Sequence, residues 1–81
     1  MKEKELIQLG FEKQIEEDVE TPFHYYTLDI TSGLSFITQA NDEVENGGWV
    51  VEIFESSEIK FKDIKPLTEL INILNQNKED K

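Results

Sequence analysis

A run of aromatic and β-branched residues, FHYYTLDIT at 23–31, constrains the fold more than any other feature of the chain. Side chains of this kind favour β-strands, in which successive residues point to opposite faces. A tight turn at Gly33 follows, and LSFITQ at 34–39 then resumes the strand-like pattern. A link this short joins antiparallel strands. The sequence therefore predicts a β-hairpin. One face of its first strand would hold His24, Tyr26, Leu28 and Ile30, and the other Phe23, Tyr25, Thr27 and Asp29.

Segments on either side of this hairpin predict two further strands. FEKQIEE at 11–17 and WVVEIFE at 49–55 both alternate between faces with a period of two residues. SSEIKFK at 56–62 is interpreted as an extended arm that continues the fourth strand. Because the links are short, we expect four strands in a largely antiparallel meander.

Helices are predicted at the two ends of the chain. Residues 2–9 form a short amphipathic segment, and Gly10 follows where a left-handed residue ends many helices. Near the C-terminus, Asp63 is a candidate N-cap and Pro66 suits a first helical turn. Apolar residues then repeat at helical spacing, at Leu67, Leu70, Ile71 and Leu74. The prediction is a single α+β domain over residues 1–81, with both helices on one face of the sheet and residues 76–81 frayed.

Trp49 and its neighbours allow two interpretations. Trp49 shares its predicted face with Val51, so a core position under a helix is expected, and an anchor for a partner is the alternative. Val50 and Phe54 fall on the opposite face beside Glu52, which is not the clean alternation of a fully solvated face. Either long side chains and a loop cover that face, or it is the surface of a homodimer or of a partner complex.

Charge is distributed very unevenly along the chain. The net charge is −10, all eight basic residues are lysines, and there is no arginine. Residues 14–59 contain eleven acidic residues and no lysine, whereas both ends are close to neutral. Phosphate repulsion and the lack of arginine argue against direct binding to nucleic acid. We expect the middle segment to present a surface of carboxylates without cations, suited to a protein with a basic surface.

This charge pattern leads to the functional prediction. We expect a non-enzymatic, acidic accessory protein that acts by binding another protein, and the alternative is a self-associating structural protein. The residues predicted to contact the partner are Glu16, Glu17, Asp18, Asp42, Glu43, Glu45 and Glu52.

No catalytic residue, metal site or cofactor is predicted. His24 is the only histidine and lacks a second metal ligand or a nucleophile at a telling spacing. Residues 41–52 place side-chain oxygens at several positions of a calcium loop, but Asn46 stands where an EF-hand needs glycine. We therefore interpret this stretch as a solvated acidic loop.

The remaining features bear on location. Cysteine is absent, so neither a disulfide nor a thiolate zinc site is available. No apolar run is long enough for a membrane helix, and MKEKELIQLG lacks the apolar centre of a signal peptide. A cytoplasmic protein is expected, without membrane association.

Four landmarks resemble a loose group of small uncharacterised proteins from phages and bacterial mobile elements. They are LIQLGF at 6–11, FHYYTL at 23–28, GGWVVEIF at 47–54 and LTELINIL at 67–74. The resemblance carries over no catalytic residue. It implies genes that neighbour host-takeover factors, defence inhibitors and accessory proteins. Acidic inhibitors of nucleic-acid-binding host or defence proteins are similar to this chain in size and charge, which is an analogy and not a family resemblance.

Overall fold

A computed structural model describes residues 1–79. Within this range the structure is an α+β fold, with a short N-terminal helix, five strands, a 3-10 turn and a C-terminal helix. The elements in chain order are α1 (Glu3–Gln8), β1 (Glu12–Glu16), β2 (Phe23–Thr31), β3 (Leu34–Thr38), a 3-10 turn (Asn41–Glu43), β4 (Val51–Ile53), β5 (Ser56–Phe61) and α2 (Ile64–Asn77). The strands form one antiparallel sheet in the order β1-β2-β3-β4-β5. The predicted meander is therefore confirmed, and the predicted number of strands is wrong by one.

The missed strand is β5, which the sequence suggested was an arm continuing β4. A two-residue turn at Phe54–Glu55 reverses the chain, and Ile53 pairs with Ser56 across it. Glu55 adopts a left-handed φ of 69°, a conformation that glycine, asparagine or aspartate usually supplies. Because neither turn residue belongs to those types, the sequence carried no turn signal here.

Strand β4 is shorter than the predicted segment 49–55. The Trp49 N–H donates to the Met1 carbonyl oxygen at 2.8 Å, and the Val50 N–H donates to Gln39 Oε1 at 2.9 Å. Both N–H groups therefore have partners outside the ladder with β3, so regular pairing begins only at Val51.

A single apolar core lies between the sheet and the two helices. Its centre is formed by Leu6 of α1, Leu67 and Ile71 of α2, and inward-facing residues of the sheet. Trp49 is 6% exposed and belongs to this core, which confirms the first of its two interpretations. The buried sheet residues that complete the core are Phe11, Tyr26, Ile30, Phe36 and Val51.

The helix ends follow the predicted local chemistry in part. Gly10 has a φ of 101° and follows Leu9, the C-cap of α1, which is the usual place of a helix-ending glycine. Asp63 occupies the N-cap position of α2, but its side chain makes no capping hydrogen bond. α2 runs to Asn77 and so includes the first two residues of the segment 76–81 predicted to fray, whereas residues 80 and 81 lie outside the described range.

Candidate functional site

Six of the seven predicted contact residues lie at one end of the sheet. In an antiparallel meander, the β1–β2 and β3–β4 connections leave from the same end, and these connections are residues 17–22 and 39–50. The backbone N–H of His24 donates to Asn41 Oδ1 at 2.8 Å, which holds the 3-10 turn beside the start of β2. We call this the acidic end, and it carries Glu16, Glu17, Asp18, Asp42, Glu43 and Glu45.

Glu52 is placed differently from the other six. It lies within β4 on the face of the sheet turned away from both helices, and it pairs with Lys60 of β5 across the strands. Glu52 Oε1 and Lys60 Nζ are 3.1 Å apart, and the Lys60 side chain is half exposed. A solvent-exposed pair of this kind contributes little to stability but neutralises much of the local charge.

Next to Glu52, the loop after the 3-10 turn borders a hollow of about 470 Å³. Glu43 lines it from the end of the 3-10 turn and Glu45 from the loop that follows. Lys60 lines it from β5, and Lys62 from just beyond that strand. The expected surface without cations is therefore wrong for this hollow, because β5 brings two lysines beside the carboxylates. The connection 17–22, by contrast, contains three acidic residues and no lysine.

A second hollow of about 230 Å³ lies on the same face of the sheet, over β2 and β3. Its lining includes Tyr25, Asp29, Ile37 and Phe54. Ile37 lines this hollow and pairs directly with Glu52, which lines the first, so the two hollows are neighbours on the sheet. We call this surface the open face, because both helices contribute to the core on the other side of the sheet.

The open face follows from residue pairing that no single segment reveals. Glu12, Thr27, Ile37, Glu52 and Lys60 occupy successive register positions across all five strands. The alternation of each strand predicted most of these orientations, but it could not predict which residues stand side by side. The missed turn at Phe54–Glu55 also concealed the approach of Lys60 to Glu52.

A separate polar cluster ties α1 to β2. Tyr26 Oη donates to Glu3 Oε2 at 2.6 Å, and His24 Nε2 lies 3.1 Å from the same oxygen. The Trp49 ring packs on this cluster, with ring centroids 5.3 Å from Tyr26 and 5.8 Å from His24. Because Glu3 is the partner of both His24 and Tyr26, these three side chains can lie beside the apolar core.

The pKa values of Tyr26 and Glu3 are both shifted in the direction that preserves the hydrogen bond between them. Burial, followed by the hydrogen bond and the negative charge of Glu3, raises the pKa of Tyr26 to about 12. The Tyr26 hydrogen bond is the main cause that lowers the pKa of the Glu3 carboxyl below its usual value, with His24 adding to it against burial. At neutral pH the phenol therefore remains a donor and the carboxylate an acceptor.

Two further observations concern metals and membranes. Within residues 1–79, no group of three or more histidine, aspartate or glutamate side chains is arranged to hold a metal ion. Residues 41–52 form a 3-10 turn followed by an irregular stretch and the start of β4, not a helix-flanked calcium loop. No helix in the described part of the chain is long and apolar enough to cross a membrane.

Comparisons of the chain with protein-family models, with curated proteins and with solved structures found no match. No residue role is therefore carried over from a relative. The placement of charge and apolar side chains on the surface is the ground for a function.

Proposed function

We propose that this chain is a non-enzymatic protein that binds a basic surface on another protein through the acidic end of its sheet. The observation that carries the proposal is the convergence of two acidic connections, 17–22 and 39–50, at that end. Residues distant in sequence thus add their charges at one place.

Convergence of this kind has a physical consequence for binding. Carboxylates gathered at one end produce a field that attracts a cationic surface and raises the rate of encounter. The region around Glu17 and Asp18 contributes most, because both side chains are exposed, whereas Lys60 and Lys62 line the same hollow as Glu43 and Glu45. Since exposed charges are screened by salt, the association rate should fall as ionic strength rises.

The resemblance to phage and mobile-element proteins supports a narrower form of the proposal. In that form, the partner is a nucleic-acid-binding host or defence protein, and the acidic end occupies the basic groove that normally receives phosphates. The net charge of −10 and the absence of arginine suit such a competitor.

The alternative function is self-association into a structural assembly. The apolar side chains on the open face, including the half-exposed Phe54, favour this alternative. Light scattering at high protein concentration distinguishes the two, because a strict monomer excludes self-association.

The proposal is tested with two charge variants that change the net charge equally. The first, Glu17→Gln/Asp18→Asn/Asp42→Asn, neutralises exposed residues of the acidic end. The control, Glu55→Gln/Glu58→Gln/Glu69→Gln, neutralises three exposed residues elsewhere. Each is used to capture partners from a host lysate at low and high salt, and captured proteins are then purified for rate measurements.

The expected result is capture by the parent protein and the control at low salt, with reduced capture by the acidic-end variant. Association of the purified partner should slow with salt for the parent and much less for the acidic-end variant. Failure to capture a partner at low salt, or capture indifferent to salt, contradicts the proposal.

A further inference from the structure

The open face of the sheet has the chemistry of a docking groove. The two hollows on this face are neighbours across β2, β3 and β4, because Glu52 lines the first and its cross-strand partner Ile37 lines the second. We call this pair of adjacent hollows the groove. Neither helix in residues 1–79 covers it, since both pack into the core on the opposite face.

Apolar and aromatic side chains form the centre and one end of the groove. Ile37 is half-buried in the centre, Tyr25 borders it from β2, and Phe54 projects from the β4–β5 turn with 54% of its surface exposed. Phe23 lies beside Tyr25 on the same face, with ring centroids 6.3 Å apart. Aromatic rings in this arrangement can contact apolar groups and can also receive a cation on their faces.

Carboxylates border this apolar centre on several sides. Glu12 lies two strands from Ile37 in the same cross-strand row, Glu52 is its direct neighbour, and Asp29 lies toward the far end. Two further carboxylates, Glu43 and Glu45, line the end nearest the acidic end. Lys60 and Lys62 are the cations along the described groove, and Lys60 is engaged with Glu52.

This charge distribution selects among the possible occupants. A second copy placed face to face would bring the same carboxylates together, and like charges across an interface oppose association. A nucleic acid would add phosphates to an acidic surface. A basic segment of another protein, with apolar side chains between its cations, complements both the apolar centre and the acidic border.

We infer that the groove binds a basic amphipathic segment of a partner protein. Apolar side chains of that segment would contact Ile37 and Phe54, and its lysines or arginines would reach Glu12, Asp29 and the ring of Tyr25. The inference rests on the proposed function in that both require a basic partner. It adds a specific contact surface, distinct from the acidic end that attracts the partner.

The test uses a synthetic peptide as a defined probe. The peptide carries leucines at helical spacing flanked by arginines, and a control peptide has the same composition in an order that is not amphipathic. Binding is measured by calorimetry, and backbone amide shifts of the labelled protein are mapped on addition of each peptide. The groove variant is Tyr25→Ser/Phe54→Ser, and the control variant is Ile73→Ser, which alters a side chain on α2 that is 55% exposed.

We expect the amphipathic peptide to bind more tightly than the control peptide and to shift the amides of Tyr25, Ile37 and Phe54. The groove variant should weaken this binding by about tenfold or more, as loss of aromatic interface anchors commonly does. The control variant should change it by less than about twofold. Retained chemical-shift dispersion in the groove variant shows that it is folded.

Three outcomes would contradict the inference that the groove binds a basic amphipathic segment. The first is equal binding of the two peptides, with shifts confined to residues 16–18 and 42–45. That result would leave the charge-driven proposal standing. The second is dimerisation of the parent protein that is lost in the variant Tyr25→Ser/Phe54→Ser. That result would assign the open face to a second copy. The third is no binding of the amphipathic peptide at low salt.

Discussion

Tyr26 in β2 donates a hydrogen bond of 2.6 Å to Glu3 in α1, across 23 positions of sequence. A helix of six residues is too short to be stable on its own in water. The Glu3 hydrogen bonds and the complete burial of Leu6 hold α1 on the sheet, together with the hydrogen bond from the Trp49 N–H to the Met1 carbonyl oxygen just before the helix. The first helix is therefore a product of tertiary contacts and not of local propensity.

This relationship predicts non-additive effects of two substitutions. Tyr26→Phe, which removes the donor, and Glu3→Ala, which removes the acceptor, should each lower the free energy of unfolding by about 1 kcal/mol or more, a typical value for one hydrogen bond. Because both remove the same contact, the double variant should lose less than the sum of the two. Urea denaturation measures all three, with Tyr25→Phe on the open face as the matched control. Strict additivity would contradict the coupling.

The raised pKa of Tyr26 predicts a loss of stability in alkali. A group whose pKa is higher in the folded state contributes stability that is complete below its unfolded pKa and is lost as pH rises through the folded pKa. For Tyr26 the window runs from the ordinary value of 10.0 to about 12. The free energy of unfolding should therefore fall across this window in the parent protein and fall less in Tyr26→Phe. Parallel curves for the two proteins would contradict the prediction.

Alanine substitutions at the adjacent glycines Gly47 and Gly48 should differ strongly in their effect on the free energy of unfolding. The φ of Gly48 is 91°, and a Cβ there would lie 2.7 Å from the Met1 carbonyl oxygen. A Cβ at Gly47 would meet nothing within 4 Å. Gly48→Ala should therefore lower the free energy of unfolding by about 2 kcal/mol through backbone strain and contact. Gly47→Ala should change it by less than about 0.5 kcal/mol. Thermal denaturation followed by Trp49 fluorescence checks both, and similar effects at the two sites would be the contrary result.

Because only one face of α2 packs into the core, alanine substitutions of Leu67 and Ile73 should differ in their effect on the free energy of unfolding. Leu67 is fully buried, whereas the Ile73 side chain is 55% exposed. Leu67→Ala should lower the free energy of unfolding by about 2–5 kcal/mol because it removes buried methyl groups and leaves a cavity. Ile73→Ala should change it by less than about 1 kcal/mol, since alanine also favours the helix. Chemical denaturation compares them, and equal losses would show that α2 packs in a different orientation.

Much of the fold was predictable because its signals are local. The nine residues of β2 match the predicted strand at both ends, and the turn at Gly33 joins β2 to β3 as expected. The helical spacing of Leu67 and Ile71 also predicted which face of α2 is buried. The failure at β5 came from Glu55, whose left-handed backbone conformation is held by the surrounding sheet and has no signature in its own residue type.

The amino-acid sequence by itself determined both helices and the first three strands, which side chains of β2 and α2 face inward, and that positive charge is missing from residues 14–59. The tertiary structure alone decided that the connections 17–22 and 39–50 share one end of the sheet. It also decided that Lys60 meets Glu52 and that Ile37 lies beside that pair. The physical reason is the distance along the chain over which each effect acts. Periodicity and turn chemistry act over a few neighbouring residues, whereas the register across strands depends on the packing of the whole sheet against its helices.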